Sequence, residues 1–294
     1  MADEQSSYIP GLIFSSVAAL ATRAVTHPLD TIKVLIQSDS LILRTQSFRS
    51  LYRGLPVSAF FSIPALSLYL HAYDSCKTEL GDLMGDGGSD SVYVHGSSAV
   101  VAEGLSAVFW TPMEVLKNRQ QVSSRNLQQE SNIFRMVKEV YHGEGIRGFF
   151  KGYLLNLAVF VPYTVTYFVT YEQLKLVASG RTRLPFSTAQ EPESETVELN
   201  FASYAASSAA AGAVAGAISN VLDVVKTRVQ ISRVDGVSAT SVIRNIYATE
   251  GLAGFARGMT ARIIWITPSV VISMSVYEVL KDWWRNREQS QNGI

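Results

Sequence analysis

Three segments of the chain repeat the same order: an acid, a lysine three residues later and a glutamine seven residues later. They read HPLDTIKVLIQ (27–37), TPMEVLKNRQQ (111–121) and NVLDVVKTRVQ (220–230), and they align without gaps. The acids are Asp30, Glu114 and Asp223, the lysines are Lys33, Lys117 and Lys226, and the glutamines are Gln37, Gln121 and Gln230. An acid and a base three residues apart share one helix face, where pairing contributes only about 0.2–0.5 kcal/mol. The threefold recurrence predicts a role beyond local pairing.

A second pattern of tyrosine, acid and lysine lies between these segments. Its members are Tyr73, Asp74 and Lys77, then Tyr171, Glu172 and Lys175, and then Tyr277, Glu278 and Lys281. A base followed by glycine precedes each of them, in YRG, FKG and ARG, which end at Gly54, Gly152 and Gly258. Three features that recur three times in one order indicate an internal threefold repeat.

The composition excludes several classes of protein. Hydrophobic residues make up 47% of the 294 residues and charged residues 17%, which is below the roughly 25% charged residues of soluble domains. The formal net charge is zero, so there is no basic field for nucleic acid. Cys76 is the only cysteine and the four histidines are scattered. We therefore expect a membrane protein that is not an enzyme and has no cofactor or metal site.

Each repeat contains two apolar stretches of the length that crosses a bilayer, about 20 residues or more. We predict an all-α membrane protein with transmembrane helices over 10–36, 53–77, 92–121, 152–177, 200–230 and 257–283. The repeats are predicted at 1–90, 91–198 and 199–294, within one transmembrane domain. The loops after the first, third and fifth helices are basic and should face the interior, so both termini should lie on the opposite side.

These motifs resemble those of the mitochondrial carrier family over essentially the whole chain. The resemblance implies a monomer in the mitochondrial inner membrane, with both termini in the intermembrane space. It also implies six tilted helices around a central cavity that opens alternately to either side, with three short helices on the matrix surface.

The resemblance implies two gates made of ion pairs between repeats. The matrix pairs would be Asp30–Lys117, Glu114–Lys226 and Asp223–Lys33, braced by the three glutamines. The cytoplasmic pairs would be Asp74–Lys175, Glu172–Lys281 and Glu278–Lys77, braced by the three tyrosines. Solvent-accessible pairs of this kind are expected to contribute about 0–1 kcal/mol each. The glycines of YRG, FKG and ARG would bind cardiolipin phosphate at helix N-termini, or they simply make turns.

Candidate substrate contacts come from charges within the apolar spans and from counting along the even helices. A charge near the bilayer centre costs roughly 2.5–3.5 kcal/mol, so Arg23, Glu103 and Arg262 should face the cavity or each other. The positions seven and eight residues after each motif glycine are implied contacts: Phe61, Ser62, Val159, Phe160, Trp265 and Ile266.

Within the family, the first motif and the acid at Glu103 are similar to those of S-adenosylmethionine carriers. We expect a zwitterionic small molecule, S-adenosylmethionine-like or amino-acid-like, with Arg23 binding its carboxylate and Glu103 its ammonium group. Two other hypotheses stay open: a degenerate carrier that acts as a membrane adaptor, and a pore that conducts protons or ions with Glu103 as a proton site.

Overall fold

The protein is all-helical in the part of the chain that the computed structural model describes, residues 2–38, 48–84, 92–122, 133–178, 201–234 and 236–292. The helices are α1 (Ala2–Gln37), α2 (Leu55–Met84), α3 (Val92–Val122), α4 (Ile133–Phe149), α5 (Tyr153–Ala178), α6 (Phe201–Ile231), α7 (Ala239–Glu250) and α8 (Met259–Asn292). Two short 3-10 helices, Phe48–Tyr52 and Gly251–Ala256, precede α2 and α8. This helical architecture confirms the predicted fold class.

Six long helices correspond to the six predicted spans. The largest differences are at the start of α1, the end of α2 and the end of α8, where the helices continue beyond the apolar segments. Polar residues at these ends have good helix propensity, so the helix outlasts the hydrophobic pattern from which a span is predicted. The shorter helices α4 and α7 occupy two of the three expected surface positions. The third falls largely on residues 39–47, which lie outside the described residues.

Five segments of the described chain are long and apolar enough to cross a membrane, and they overlap α2, α3, α5, α6 and the first part of α8. The helix α1 is not among them, although it has 36 residues. Arg23, His27, Asp30 and Lys33 lower its hydropathy. Its place among the spanning helices therefore depends on its length and its packing.

The six long helices form a closed ring. Each one packs against the next, in the order α1, α2, α3, α5, α6 and α8, and α8 packs against α1 to complete the circle. The helices α1, α3 and α6 also contact one another. Residues near their C-terminal ends make these contacts, so the ring narrows at that end and the acid–lysine–glutamine segments are brought together there.

The contact between α6 and α8 depends on two glycines. A Cβ atom added to Gly212 would lie 2.7 Å from Ile266 Cγ2, and one added to Gly216 would lie 2.6 Å from Ile266 Cδ1. Small residues four apart let two membrane helices approach closely. The isoleucine therefore packs into a notch on α6.

We predict that Gly216→Ala lowers the thermal unfolding midpoint, because overpacking of this kind costs about 1–3 kcal/mol. The matched control is Gly96→Ala in α3, where an added Cβ meets nothing within 4 Å. There the better helix propensity of alanine should leave the midpoint unchanged or raise it. Unfolding in detergent, followed by intrinsic fluorescence, measures both. Equal midpoints for the two variants would contradict the close packing.

Candidate functional site

Three buried ion pairs join the narrow ends of α1, α3 and α6. Lys117 Nζ lies 2.9 Å from Asp30 Oδ2, Lys226 Nζ lies 3.0 Å from Glu114 Oε1, and Lys33 Nζ lies 2.7 Å from Asp223 Oδ2. We call these six residues the inner ring. Each pair joins two different repeats, as the resemblance implies, and the six side chains are only 4–20% exposed. The expectation of solvent-accessible pairs is therefore wrong, because the narrowing of the barrel buries them.

The three glutamines at the ring are not equivalent. Gln37 donates a hydrogen bond to Asp223 Oδ2 at 2.8 Å, and Gln230 donates to Glu114 Oε2 at 3.0 Å. Gln121 instead donates to Thr31 Oγ1 at 3.0 Å. Two of the three carboxylates thus have the expected amide brace. The third brace is diverted, because only the first repeat has a hydroxyl next to its acid.

The three motif glycines lie in close contact with residues of the inner ring or with their glutamines. Gly54, Gly152 and Gly258 have φ angles of 82°, 79° and 74°, which favour glycine. A Cβ atom at these positions would lie 2.9 Å from Lys117 Cγ, 3.2 Å from Gln230 Cγ and 2.7 Å from Gln37 Cγ respectively. Each glycine therefore makes a turn and also leaves room for an inner-ring residue or its glutamine. Their cardiolipin role stays a prediction.

Two further charge clusters tie the ring to the surface helices. Arg119 donates to both oxygens of Glu144, at 2.7 and 3.0 Å, and Lys151 lies 2.5 Å from the same carboxylate. In the third repeat, Arg228 and Arg257 pair with Glu250. Sequence analysis missed both clusters. The signal was present: an arginine two residues after the motif lysine, and a glutamate eight residues before the motif glycine.

Glu144 is the charged centre of the first of these clusters. Burial would raise the pKa of Glu144, but hydrogen bonds and charge from Arg119 and Lys151 outweigh it and hold the pKa below its ordinary value of 4.5. The carboxylate thus stays ionised at neutral pH. It links α4 to α3 and to the start of α5.

In the second predicted set of charges, Lys175 lies near the acid of its own repeat. Lys175 Nζ lies 3.9 Å from Glu172 Oε2 on its own helix, and these side chains are 35% and 56% exposed. The resemblance placed Lys175 with Asp74 of another repeat. The Tyr73 hydroxyl lies 2.6 Å from His95 Nδ1, whereas the side chains of Glu278 and Lys281 lie outside the described residues. The inner ring is thus closed and buried, while Glu172 is exposed and Lys175 is half-buried.

A cavity of about 310 Å³ reaches the inner ring. Its lining consists of two carboxylates, three aromatic rings, one amide and one leucine: Glu103, Glu114, Tyr69, Trp110, Phe160, Asn156 and Leu66. Glu114 belongs to the ring itself, so the cavity and the ring share a residue. Sequence analysis proposed Glu103 and Phe160 as contacts, whereas Trp110 was missed because no charge or motif marks it.

Arg23 stands at the margin of this cavity. Its guanidinium carbon lies 5.1 Å from the centroid of the Trp110 ring, within the range of a cation–π interaction. Trp110 therefore holds the arginine from α1 against the wall that α3 contributes. This contact places the guanidinium group of Arg23 beside the cavity.

The other predicted contacts lie outside the lining of this cavity. Phe61 packs against the apolar core between α2, α3 and α4, and Ile266 fills the notch on α6. Ser62 is buried and donates to the carbonyl of Ser58, and Val159 is also buried. The number of residues after a glycine predicts how far along the helix a side chain lies. Whether that side chain faces the cavity depends on how the helix is rotated about its own axis.

Arg262 and Trp265 contribute to the ring instead. Arg262 Nη1 lies 2.5 Å from Asp223 Oδ2, and Nη2 donates to Ser219 Oγ at 3.0 Å. Lys33 Nζ lies 5.6 Å from the centroid of the Trp265 ring. Asp223 thus has two cations within ion-pair distance. In the other repeats the position of Arg262 is taken by the neutral residues Ser58 and Asn156.

Comparison with known proteins agrees with this geometry. A family model described as mitochondrial carrier protein matches residues 88–182 and 197–288. An uncharacterised mitochondrial carrier of Schizosaccharomyces pombe is 31% identical over 284 residues, which cover 92% of this chain and 96% of the relative.

Two other relatives have different names. An S-adenosylmethionine mitochondrial carrier protein homolog of Drosophila melanogaster is 28% identical over 280 residues, covering 92% of each chain. Mitoferrin-2 of Homo sapiens is 30% identical over 294 residues, covering 92% of this chain and 76% of the relative. Relatives of similar identity thus differ in name, so overall sequence identity does not indicate which of them this chain resembles in its substrate.

We predict that Glu144→Gln destabilises the protein at neutral pH and that the effect fades in acid. A carboxyl group whose pKa is lowered by folding contributes stability above its unfolded pKa, and this contribution is lost as the pH falls through the folded pKa. The difference in unfolding midpoint between wild type and variant should therefore shrink as the pH falls below about 4.5.

The matched control is Glu139→Gln, which removes an exposed ion pair with Arg135 on the same helix. Such pairs contribute about 0–1 kcal/mol, so its midpoint should stay close to that of the wild type at every pH. A Glu144→Gln difference that is independent of pH would show that the charge of Glu144 does not stabilise the fold.

Proposed function

The chain belongs to the mitochondrial carrier family, and from this premise we propose that it carries a small charged or zwitterionic metabolite across the mitochondrial inner membrane by alternating access. Members of this family are transporters rather than enzymes. The observation that carries the proposal is a cavity with charged and aromatic walls that ends on a closed ring of buried ion pairs. The cavity would bind the substrate, and the ring would be the matrix gate beneath it.

Coupling between binding and opening follows from the shared residue Glu114. This carboxylate lines the cavity and also accepts hydrogen bonds from Lys226 and Gln230 at 3.0 Å each. A cationic group of the substrate that approaches Glu114 competes with those donors. Substrate binding would therefore weaken the ring at one point. The exposed outer charges would close over the substrate as the ring opens.

The proposed substrate class follows from the groups around the cavity. Glu103 and Glu114 favour a cationic group, and Tyr69, Trp110 and Phe160 offer ring faces that attract cations and pack against flat groups. Arg23 on Trp110 supplies a partner for a carboxylate. A zwitterion such as an amino acid or S-adenosylmethionine presents both charges. The name of the Drosophila melanogaster relative is consistent with the second.

The proposal includes the organisation of the chain and its surroundings. Repeats at 1–90, 91–198 and 199–294 would form one monomeric transmembrane domain with both termini in the intermembrane space. Cardiolipin phosphate would bind near Gly54, Gly152 and Gly258, where the turns lead into the N-termini of α2, α5 and α8. A helix N-terminus favours an anion through its free amide groups and its dipole.

We predict that purified protein in liposomes takes up a zwitterion in preference to a nucleotide or a dicarboxylate. Amino acids, their adenosyl derivatives, nucleotides and carboxylates should be compared, first without and then with the same compound inside. A carrier shows uptake that internal substrate accelerates, whereas a pore does not. For the best substrate, Glu103→Gln and Arg23→Ala should each reduce uptake at least about tenfold, since a lost charge-assisted contact costs about 1.5–3 kcal/mol.

The surface variant Glu139→Gln serves as the control and should leave uptake unchanged. Normal uptake by Arg23→Ala would remove this arginine from the site. Uptake that internal substrate fails to accelerate would favour a pore, and no uptake of any compound would favour an adaptor.

The gate itself is tested by exchanging the partners of one pair. Asp30→Lys and Lys117→Asp, made singly, place like charges together in a buried contact and should abolish uptake and lower the unfolding midpoint. The double variant restores an attractive pair and should regain most of both. If the double variant is as inactive as the single ones, the pair is not a gate. We choose Asp30 and Lys117 rather than Asp223 and Lys33, because Arg262 also pairs with Asp223 and would remain beside the exchanged charges.

A further inference from the structure

The inner ring consists of three helix contacts that differ in strength. We call α1–α3 the first seam, α3–α6 the second and α6–α1 the third. In each seam one helix supplies the acid and the other supplies the lysine and the glutamine. The residues four and five positions after the acid differ in chemistry between the seams. They are Val34 and Leu35, Asn118 and Arg119, and Thr227 and Arg228.

The second and third seams each have a full set of bonds around the glutamine. Asn118 Nδ2 donates to Gln230 Oε1 at 2.8 Å, and Arg119 Nε donates to the Gln230 carbonyl at 2.9 Å. Thr227 Oγ1 donates to Gln37 Oε1 at 3.0 Å, and Arg228 Nε donates to the Gln37 carbonyl at 2.9 Å. In both seams the glutamine in turn donates to the acid.

The first seam lacks these bonds. Val34 and Leu35 are buried, at 2% and 0% exposure, and their side chains have no polar group. Gln121 Oε1 is buried without a hydrogen-bond partner in the described part of the chain. The amide of Gln121 donates to Thr31 rather than to Asp30. The inner-ring contact between α1 and α3 is thus the Asp30–Lys117 ion pair. Gln121 does not donate a hydrogen bond to Asp30, unlike the equivalent glutamines in the other two seams.

We propose that the inner ring opens first along the first seam, so that α1 and α3 separate before the other two contacts break. Gln121 Oε1, a buried acceptor without a donor among the described residues, costs free energy in the closed state and regains water when the seam parts. Asn118 Oδ1 in the second seam also has no donor among these residues, but there the same side chain donates to Gln230 Oε1. The second and third seams lose several buried hydrogen bonds when they part. The closed state is therefore poised to open at one side, between the first and second repeats. This inference rests on the gate role proposed above.

The missing donor is tested by two separate substitutions, each of which replaces a residue by one of nearly the same shape. Val34→Thr places a hydroxyl near Gln121 Oε1, as Thr227 does for Gln37, and should raise the unfolding midpoint by about 2–4 °C. The mirror variant Thr227→Val removes the donor to Gln37 Oε1 and should lower the midpoint by a similar amount. An unchanged or lower midpoint for Val34→Thr would overturn the inference.

The order of opening is measured directly with pairs of spin labels. Cys76 is the only cysteine, so Cys76→Ser gives a background for cysteines at Ser38, Val122 and Ser232, near the ends of α1, α3 and α6. Without substrate, the 38/122 pair should show the broadest distance distribution of the three pairs. Val34→Thr should narrow it, and Thr227→Val should broaden the 38/232 pair instead.

Three equal distributions, or a broadest distribution across another pair, would refute opening along the first seam. Neither measurement depends on transport. If liposomes show no uptake while the label distances follow the expected order, the proposed function fails and the weak seam stands. If uptake is found and the distances do not follow this order, only the weak seam fails.

Discussion

Burial of charge is the constraint on which the rest of the structure depends. A charged side chain in a low-dielectric interior must be paired, because a single unpaired charge costs several kcal/mol. The inner ring places three acids and three lysines where α1, α3 and α6 converge, and each finds its partner only on another helix. The motif glycines allow this convergence, because each one leaves room for a side chain of the next repeat. Ring closure, glycine turns and charge spacing are therefore parts of one arrangement.

The burial of the ring changes the energetics expected of a gate. An exposed pair contributes about 0–1 kcal/mol and would hardly hold a barrel closed. Removing one partner of a buried pair costs about 3–5 kcal/mol. Gate opening differs from mutation, because both partners become hydrated together when the helices separate. The net cost of opening is thus lower than the cost of a single substitution. A ring of this kind is stable when closed but can still be opened by the binding free energy of a small molecule.

The sequence predicts the parts of this structure that depend on spacing along a helix. The six long helices follow from apolar segments of sufficient length that recur along the chain. The partners in the inner ring are those that the resemblance to the carrier family implies. The sequence did not predict which side chains face the cavity. Phe61 and Ile266 stand at the expected height but point into helix contacts, because helix rotation depends on packing. Trp110 and the Glu144 cluster were missed because they occur in only one or two repeats.

The departures from threefold symmetry lie at the cavity and along the inner ring. A symmetric ring cannot distinguish the two ends of a zwitterion, and a ring with three equal seams has no preferred place to open. Arg23, Glu103 and Trp110 each lack a chemical equivalent at the corresponding positions of the other repeats, and they surround one cavity. Val34 and Leu35 have apolar side chains where the second and third seams have hydrogen-bond donors, and Arg262 adds a cation beside Asp223. The repeated motif residues close the barrel, and the residues that break the repeat would give the proposed gate its direction.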